Sequence, residues 1–300
     1  MAMEQKEILR RPSVWQPRDP AEAVRLKEAF GPDAVYVAGS TLLRTQWEAG
    51  TAVMPPHLID LASIPGLAGI AEQDGELVVG SLARLDDCRA HPALADKAPL
   101  LVEAIKQIAG RSVRNQATIG GNVVYRVGDA MPALLALDAR LDWHDGTGSR
   151  TEDVSEWLRA PSAAPRVLTA IRLPIAEDAP TSNARRTFAY HKVGRREAFT
   201  PSLVTVAIAA ASAADGSIAD IRIAAGGGQT VPKRMTRAED ALLGKAPDAR
   251  LLAAVHEAIL EDYVPAPDPF AADSYRKKTA ANLVVAALWK TFCRPAEARG

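Results

Sequence analysis

Beyond residue 186 the chain reads as three strand-like runs in succession, TFAYHKV, LVTVAIAAAS and SIADIRIAAGG. Three helical runs follow: TRAEDALLG, DARLLAAVHEAILEDY and DSYRKKTAANLVVAALWKTF. Strands grouped together and then helices grouped together limit the fold class to α+β. Upstream the two textures alternate. DAVYVAG (Asp33 to Gly39) reads as a strand, and TLLRTQWEAG reads as a helix ending at Gly50, a residue type that suits a C-cap. HLIDLASIPGLAGI reads as strand, loop and strand start, and GELVVGSLARL as a strand after a glycine turn. One helix is expected over ALADKAPLLVEAIKQIAG to Gly110, and another over PALLALDA, with Pro132 near its start. RLDWHD and RVLTAIRLP have the look of strands. The polar, proline-containing stretch PIAEDAPTSNARR, from Pro174 to Arg186, predicts a linker between domains.

Charge and cysteine content narrow the function classes. Lys plus Arg and Asp plus Glu number 36 each, a formal net charge of zero. That balance argues against a protein that coats nucleic acid or a polybasic membrane binder. No stretch approaches the roughly 18 apolar residues of a membrane span, and MAMEQKEILRRPSVW carries no signal-like apolar run. The expectation is a cytoplasmic chain with no membrane span and no nucleic-acid partner. Its two cysteines, Cys88 and Cys293, are far apart and predict reduced thiols. Iron–sulfur clusters normally need four cysteine ligands, so any such cluster belongs to another chain.

Two glycine-containing stretches are candidate ligand sites. In VYVAGSTLL a strand ends at Gly39, and Ser40 or Thr41 can cap the helix that follows. A helix N-terminus after a glycine suits a phosphate, although an ordinary strand–turn–helix junction has the same spacing. In ATIGGN, Thr118 and Asn122 can hydrogen-bond phosphate oxygens, while Gly120 and Gly121 remove side chains that would block the approach. A plain glycine turn between strands is the competing reading. Asp129 is either a capping acid or a carboxylate that accepts from a ribose or ribityl hydroxyl. YHKVGRREAF gathers His191, Lys192, Arg195 and Arg196, either a solvated strand end or a place where Lys192 reaches an anionic or carbonyl-bearing cofactor. There is no G-x-G-x-x-G and no G-x-x-x-x-G-K-[ST], which argues against Rossmann and P-loop enzymes. The five histidines form no H-x-x-x-H pattern and no serine nucleophile elbow is present, so neither a metal site nor a catalytic residue is assigned.

Together these stretches resemble the FAD-binding medium subunit of the molybdenum hydroxylases, the family of xanthine dehydrogenase and aerobic carbon monoxide dehydrogenase. The family's first flavin loop runs roughly A-G-G-[TH]-[DS]-L, and Ala38-Gly39-Ser40-Thr41-Leu42-Leu43 stands in its place. The second runs A-T-I-G-G-N after I-R-N; here Val113-Arg114-Asn115-Gln116 precede a complete Ala117 to Asn122. Ser40 replaces a glycine, Leu42 replaces a polar residue, and Tyr125-Arg126-Val127-Gly128 replace the usual Ser-Pro before the acid. The resemblance spans about Pro12 to Trp289.

It implies an α+β architecture: a PCMH-type FAD-binding domain over residues 1–178, with subdomains of about 1–62 and 63–178. A smaller C-terminal domain over 184–292 would carry a three-stranded antiparallel sheet and helices. It implies FAD held by Ala38, Gly39, Ser40, Thr41, Leu42, Thr118, Ile119, Gly120, Gly121 and Asn122, with Asp129 as the family's acid and Lys192 near the isoalloxazine ring. It also implies a molybdopterin-binding large subunit and a small subunit with two iron–sulfur clusters, assembled as a dimer of heterotrimers. In such a complex this chain relays electrons to NAD, oxygen or another acceptor. A self-sufficient flavoenzyme and a structural subunit that has lost flavin are the alternatives.

Overall fold

The chain opens with three parallel strands in the order β1 (Ser13–Trp15), β3 (His57–Asp60), β2 (Ala34–Val37), with Val14 and Val35 both level with Leu58. The computed structural model describes residues 11–175, 185–196 and 200–293. Helix α1 (Pro20–Phe30) joins β1 to β2. Asp19 starts it by accepting from the Glu22 amide at 2.7 Å, and Pro20 tolerates a position whose amide is unbonded in any case. Ala23 and Val24 of α1 pack with Ala34, Ile59 and, from later in the chain, Leu67 and Val167. Helix α2 (Thr41–Glu48) follows β2 and buries no residue fully.

A five-stranded antiparallel sheet forms next, in the order β4-β5-β8-β6-β7. Its strands are β4 (Ile70–Gln73), β5 (Glu76–Gly80), β6 (Arg140–His144), β7 (Ser149–Asp153) and β8 (Val167–Pro174). Between β5 and β6 lie the short helices α3 (Leu85–Ala90), α4 (Pro92–Lys97), α5 (Pro99–Lys106), α6 (Arg111–Arg114), α7 (Ile119–Val124) and α8 (Met131–Ala136), and α9 (Val154–Arg159) follows β7. The single helix expected over residues 93–110 is therefore two helices and a turn. Pro99 disfavours helical backbone at Ala98, and α5 restarts on that proline. All six residues of α8 are buried, so this helix lies wholly within the interior.

The last unit is an antiparallel sheet in the order β12-β11-β10-β9, followed by α10 (Thr236–Leu242), α11 (Ala249–Asp262) and α12 (Asp273–Leu288). Its strands are β9 (Arg185–Gly194), β10 (Ser202–Ser212), β11 (Ile218–Gly227) and β12 (Thr230–Arg234). The sheet has four strands where three were expected. The extra strand, TVPKR, is short and contains Pro232, and proline is tolerated at a sheet edge because no ladder N–H is required of it there.

Side chains alternate across β10. Val204, Val206, Ile208 and Ala210 enter the core with α10 to α12. Ala207 and its neighbour on β11, Ala224, join Tyr190 in the core built around α5 and α8. Burial on both faces explains the nearly continuous apolar run, and alanine on the α8 side lets the helix sit close to the sheet. The segment from Pro174 to Arg186, expected to be a linker, lies mostly outside the described residues. Among the described residues no helix is long and apolar enough to cross a membrane.

Candidate functional site

The first loop grows from the end of β2. Ser40 adopts a left-handed conformation (φ 53°, ψ 12°) and occupies the N-cap position of α2. Its hydroxyl does not cap the helix; it turns back towards the Ala38 carbonyl oxygen at 3.3 Å. The expectation that Ser40 or Thr41 caps α2 is thereby corrected. Arg44 is the first residue whose amide bonds back, to the Ser40 carbonyl at 2.9 Å. Among the described residues the amides of Ser40, Thr41, Leu42 and Leu43 have no acceptor. A left-handed residue beside a helical one is the alternation from which backbone anion nests are made, and four open amides at a helix start carry partial positive charge. Leu42 points its side chain outward and is 38 % exposed.

The second loop is not a turn between strands, as its glycines suggested. Gly120, Gly121 and Asn122 lie inside α7. Thr118 caps this helix, its hydroxyl accepting from the Gly121 amide at 3.1 Å. The Ile119 amide donates to Ala83, the Gly120 amide to Ser81 and the Asn122 amide to Thr118, at 2.9, 2.8 and 3.1 Å. These amides already have protein partners, so α7 is a built floor rather than an open nest. The Ile119 side chain is fully buried in the core. A methyl at Gly120 would lie 2.5 Å from the Ser81 carbonyl oxygen and 2.7 Å from Ser81 Cβ, whereas one at Gly121 would meet only Thr118 Oγ1, at 3.1 Å. Gly120 thus serves close packing, while Gly121 faces outward and is exposed.

The two loops abut. A methyl on Gly39 would collide with the Gln116 carbonyl oxygen and sit 2.9 Å from Ala117 Cα. The glycine is needed because the chains pass with no space for a Cβ. Gly39 of the first loop thus packs against Gln116 and Ala117, immediately before Thr118 and α7.

Beyond α7, Asp129 and Lys192 pair with each other. The Asn122 side-chain oxygen accepts from the Ala130 amide at 3.1 Å, which fixes the loop carrying Asp129. One Asp129 carboxylate oxygen accepts from the Ser202 hydroxyl at 2.6 Å, and the other pairs with the Lys192 ammonium at 2.7 Å. Lys192 also donates to the Gln107 carbonyl at 3.0 Å. The Tyr190 hydroxyl donates to the Asp129 carbonyl at 2.7 Å. Burial, reinforced by the Asp129 charge, pushes the Tyr190 phenol well above its ordinary range, so it remains a donor. Asp129, expected to face a ligand hydroxyl, thus already has a protein partner on each oxygen. An ionised carboxylate has about four acceptor positions, which leaves room for a ligand donor as well.

The basic cluster is divided by strand alternation. His191 lies on the face opposite Tyr190 and Lys192, and burial, with the charge of Lys290, lowers its pKa. Arg195 sits over the Phe270 ring at 4.2 Å. Gln107, Tyr190 and Ser202 were not singled out from the sequence. No local pattern marks them, because their partners are distant in the chain.

Comparison with known proteins follows the same outline. Residues 7–176 match the family described as the FAD binding domain in molybdopterin dehydrogenase, and residues 188–291 match the carbon monoxide dehydrogenase flavoprotein C-terminal domain. The carbon monoxide dehydrogenase medium chain of Hydrogenophaga pseudoflava is 30 % identical over 286 residues, covering 93 % of this chain and 96 % of the relative. A xanthine dehydrogenase FAD-binding subunit of Escherichia coli is 27 % identical, covering 82 % of this chain and 84 % of the relative. A solved structure of the Hydrogenophaga pseudoflava enzyme lacking the Mo-pyranopterin moiety of its cofactor superposes with a TM-score of 0.84 at 29 % identity, over 93 % of this chain and 96 % of that one.

Proposed function

This chain belongs to the family of FAD-binding medium subunits of the molybdenum hydroxylases, and from that premise we propose that it is the electron-transfer subunit of a multi-subunit oxidoreductase. The observation that carries the reading is the first loop: a left-handed Ser40 and a run of open amides, next to a Gly39 packed on Gln116 and Ala117 just before α7, whose outward Gly121 is bare. An FAD diphosphate fits this cradle in charge and in the absence of obstructing side chains.

In this proposal the amides of Ser40 to Leu43 hold the diphosphate. Gly121 and the Asn122 amide group border it, and Thr118 holds α7 in shape. Asp129 accepts from a hydroxyl of the flavin's sugar-like chain, and Lys192 places a fixed positive charge near the ring. Fixed charge and oriented amides tune a cofactor without reorganising during the reaction. FAD held by these residues would supply the redox chemistry that links a small iron–sulfur subunit to NAD, oxygen or another acceptor. A large molybdopterin subunit oxidises the substrate. The reading places the complex in the cytoplasm as a dimer of heterotrimers. It divides the chain into an FAD-binding domain over 1–178, with subdomains of about 1–62 and 63–178, and a C-terminal domain over 184–292.

The test is purification of the full chain from its own cells, with measurement of visible flavin absorbance and of accompanying subunits. The expected result is about one FAD per chain, together with a molybdenum-containing large chain and an iron–sulfur small chain. A colourless chain, or a flavin-bearing chain that turns over a small organic donor unaided, would refute the proposal.

A further inference from the structure

We propose that Ser202, at the start of β10, is a positioning residue for the flavin site: its hydroxyl fixes the carboxylate of Asp129 and, through it, the ammonium of Lys192. The inference rests on the reading of Asp129 and Lys192 as flavin contacts. It goes beyond that reading by assigning the alignment of those groups to the C-terminal sheet.

Ser202 is 5 % exposed and spends its hydroxyl on one Asp129 oxygen at 2.6 Å. Lys192 takes the other oxygen at 2.7 Å. A carboxylate held by a flexible lysine alone can rotate about its terminal torsion, which is broad. A second donor from a different strand on the other oxygen removes that freedom. The serine is itself held rigidly. Its carbonyl accepts from the Gly228 amide at 2.8 Å, and the next carbonyl, that of Leu203, accepts from the fully buried guanidinium of Arg276. The two contacts fix β10 at the point where the hydroxyl departs. Groups aligned this way act through the residue they hold rather than by touching the ligand.

The test uses the full chain and five variants: Ser202→Ala, Ser202→Thr, Asp129→Asn, Lys192→Ala and the Ser202→Ala/Asp129→Asn double variant. Each is titrated with FAD, following flavin fluorescence for affinity and the visible absorption band for the environment of the ring. Loss of a hydrogen bond to a charged group predicts roughly tenfold weaker FAD binding in Ser202→Ala, with a displaced flavin band. Ser202→Thr, which keeps the hydroxyl, restores both. In the Asp129→Asn background, removing the Ser202 hydroxyl changes affinity by less than about twofold, the signature of action through Asp129. An equal loss in both backgrounds, or wild-type affinity and spectrum in Ser202→Ala while Asp129→Asn is impaired, would overturn the positioning role alone. Wild-type behaviour of both Asp129→Asn and Lys192→Ala would overturn the underlying flavin contacts, and the positioning role with them.

Discussion

Gly121 and Gly39 separate a glycine that clears space for a ligand from one that clears space for the protein. Alanine at 121 places its methyl 3.1 Å from Thr118 Oγ1 and within 4 Å of nothing else. Replacing a helical glycine by alanine gains about 0.8–1.0 kcal/mol of helix propensity. The Thr118 hydroxyl must yield by a few tenths of an ångström, which costs part of a cap worth about 1 kcal/mol. The two effects nearly cancel, so the melting temperature of the flavin-free chain should move by no more than roughly 4 °C. A diphosphate lying on the outward face of α7 meets the same methyl directly. Overpacking of about 1–3 kcal/mol corresponds to roughly 5- to 150-fold weaker FAD binding. Gly121→Val extends the obstruction and should abolish flavin retention in a chain that still folds. Gly39→Ala behaves differently. Its methyl would lie 2.9 Å from Ala117 Cα, where carbon–carbon contacts sit at about 3.5–4.0 Å, and the obstacle is backbone. This variant should destabilise the protein with or without flavin. The assay is thermal unfolding of flavin-free protein paired with FAD titration. Wild-type affinity in Gly121→Val would show that the outward face of α7 lies away from the flavin, and the reasoning would fail.

Lys192→Ala should change the visible spectrum and the rate of flavin reduction, measured by stopped-flow absorbance; unchanged spectra and rates would remove Lys192 from the site. The same substitution leaves the largely buried Asp129 without its cationic partner, so some loss of stability accompanies it. Burial, with the charge of Asp87, pushes the Cys88 thiol from 9.0 up to about 12. Its folded pKa lies above its unfolded one, so its contribution to stability is intact below about pH 9 and is lost as pH rises towards 12. At pH 8 an aromatic disulfide reagent should leave Cys88 unmodified until the chain is unfolded in urea; prompt labelling in the native state would contradict the buried thiol.

The apolar run LVTVAIAAAS and the periodicity of DARLLAAVHEAILEDY are local signals, and both elements form where the sequence placed them. The break at Ala98 was equally local, since Pro99 was visible, but the apolar pattern on both sides masked it. Short strands such as β1 and β7 were harder to recognise. Their residues are largely exposed, so no hydrophobic pattern marks them, and they exist because neighbouring strands offer a free edge. At the site, ATIGGN was legible as a motif but not as a helix. Paired glycines suggest a turn, and the competing influence is the Thr118 cap together with packing of Ile119 into the core. The union of Asp129 with Lys192 and Ser202 could not be seen in one sequence. It depends on how α8 docks on a sheet made much later in the chain, and no local rule encodes that docking.

The double-faced sheet also bears on how the protein is made. Because α8 is covered by β10 and β11, a ribosome that has finished β8 has produced a helix whose cover does not yet exist. Domains generally form as they emerge, but this one must keep an oily seam sheltered until the remaining strands arrive. A gene cut between β8 and β9 would therefore yield two sticky fragments rather than a pair of exchangeable modules. Each half of this chain finishes the interior of the other.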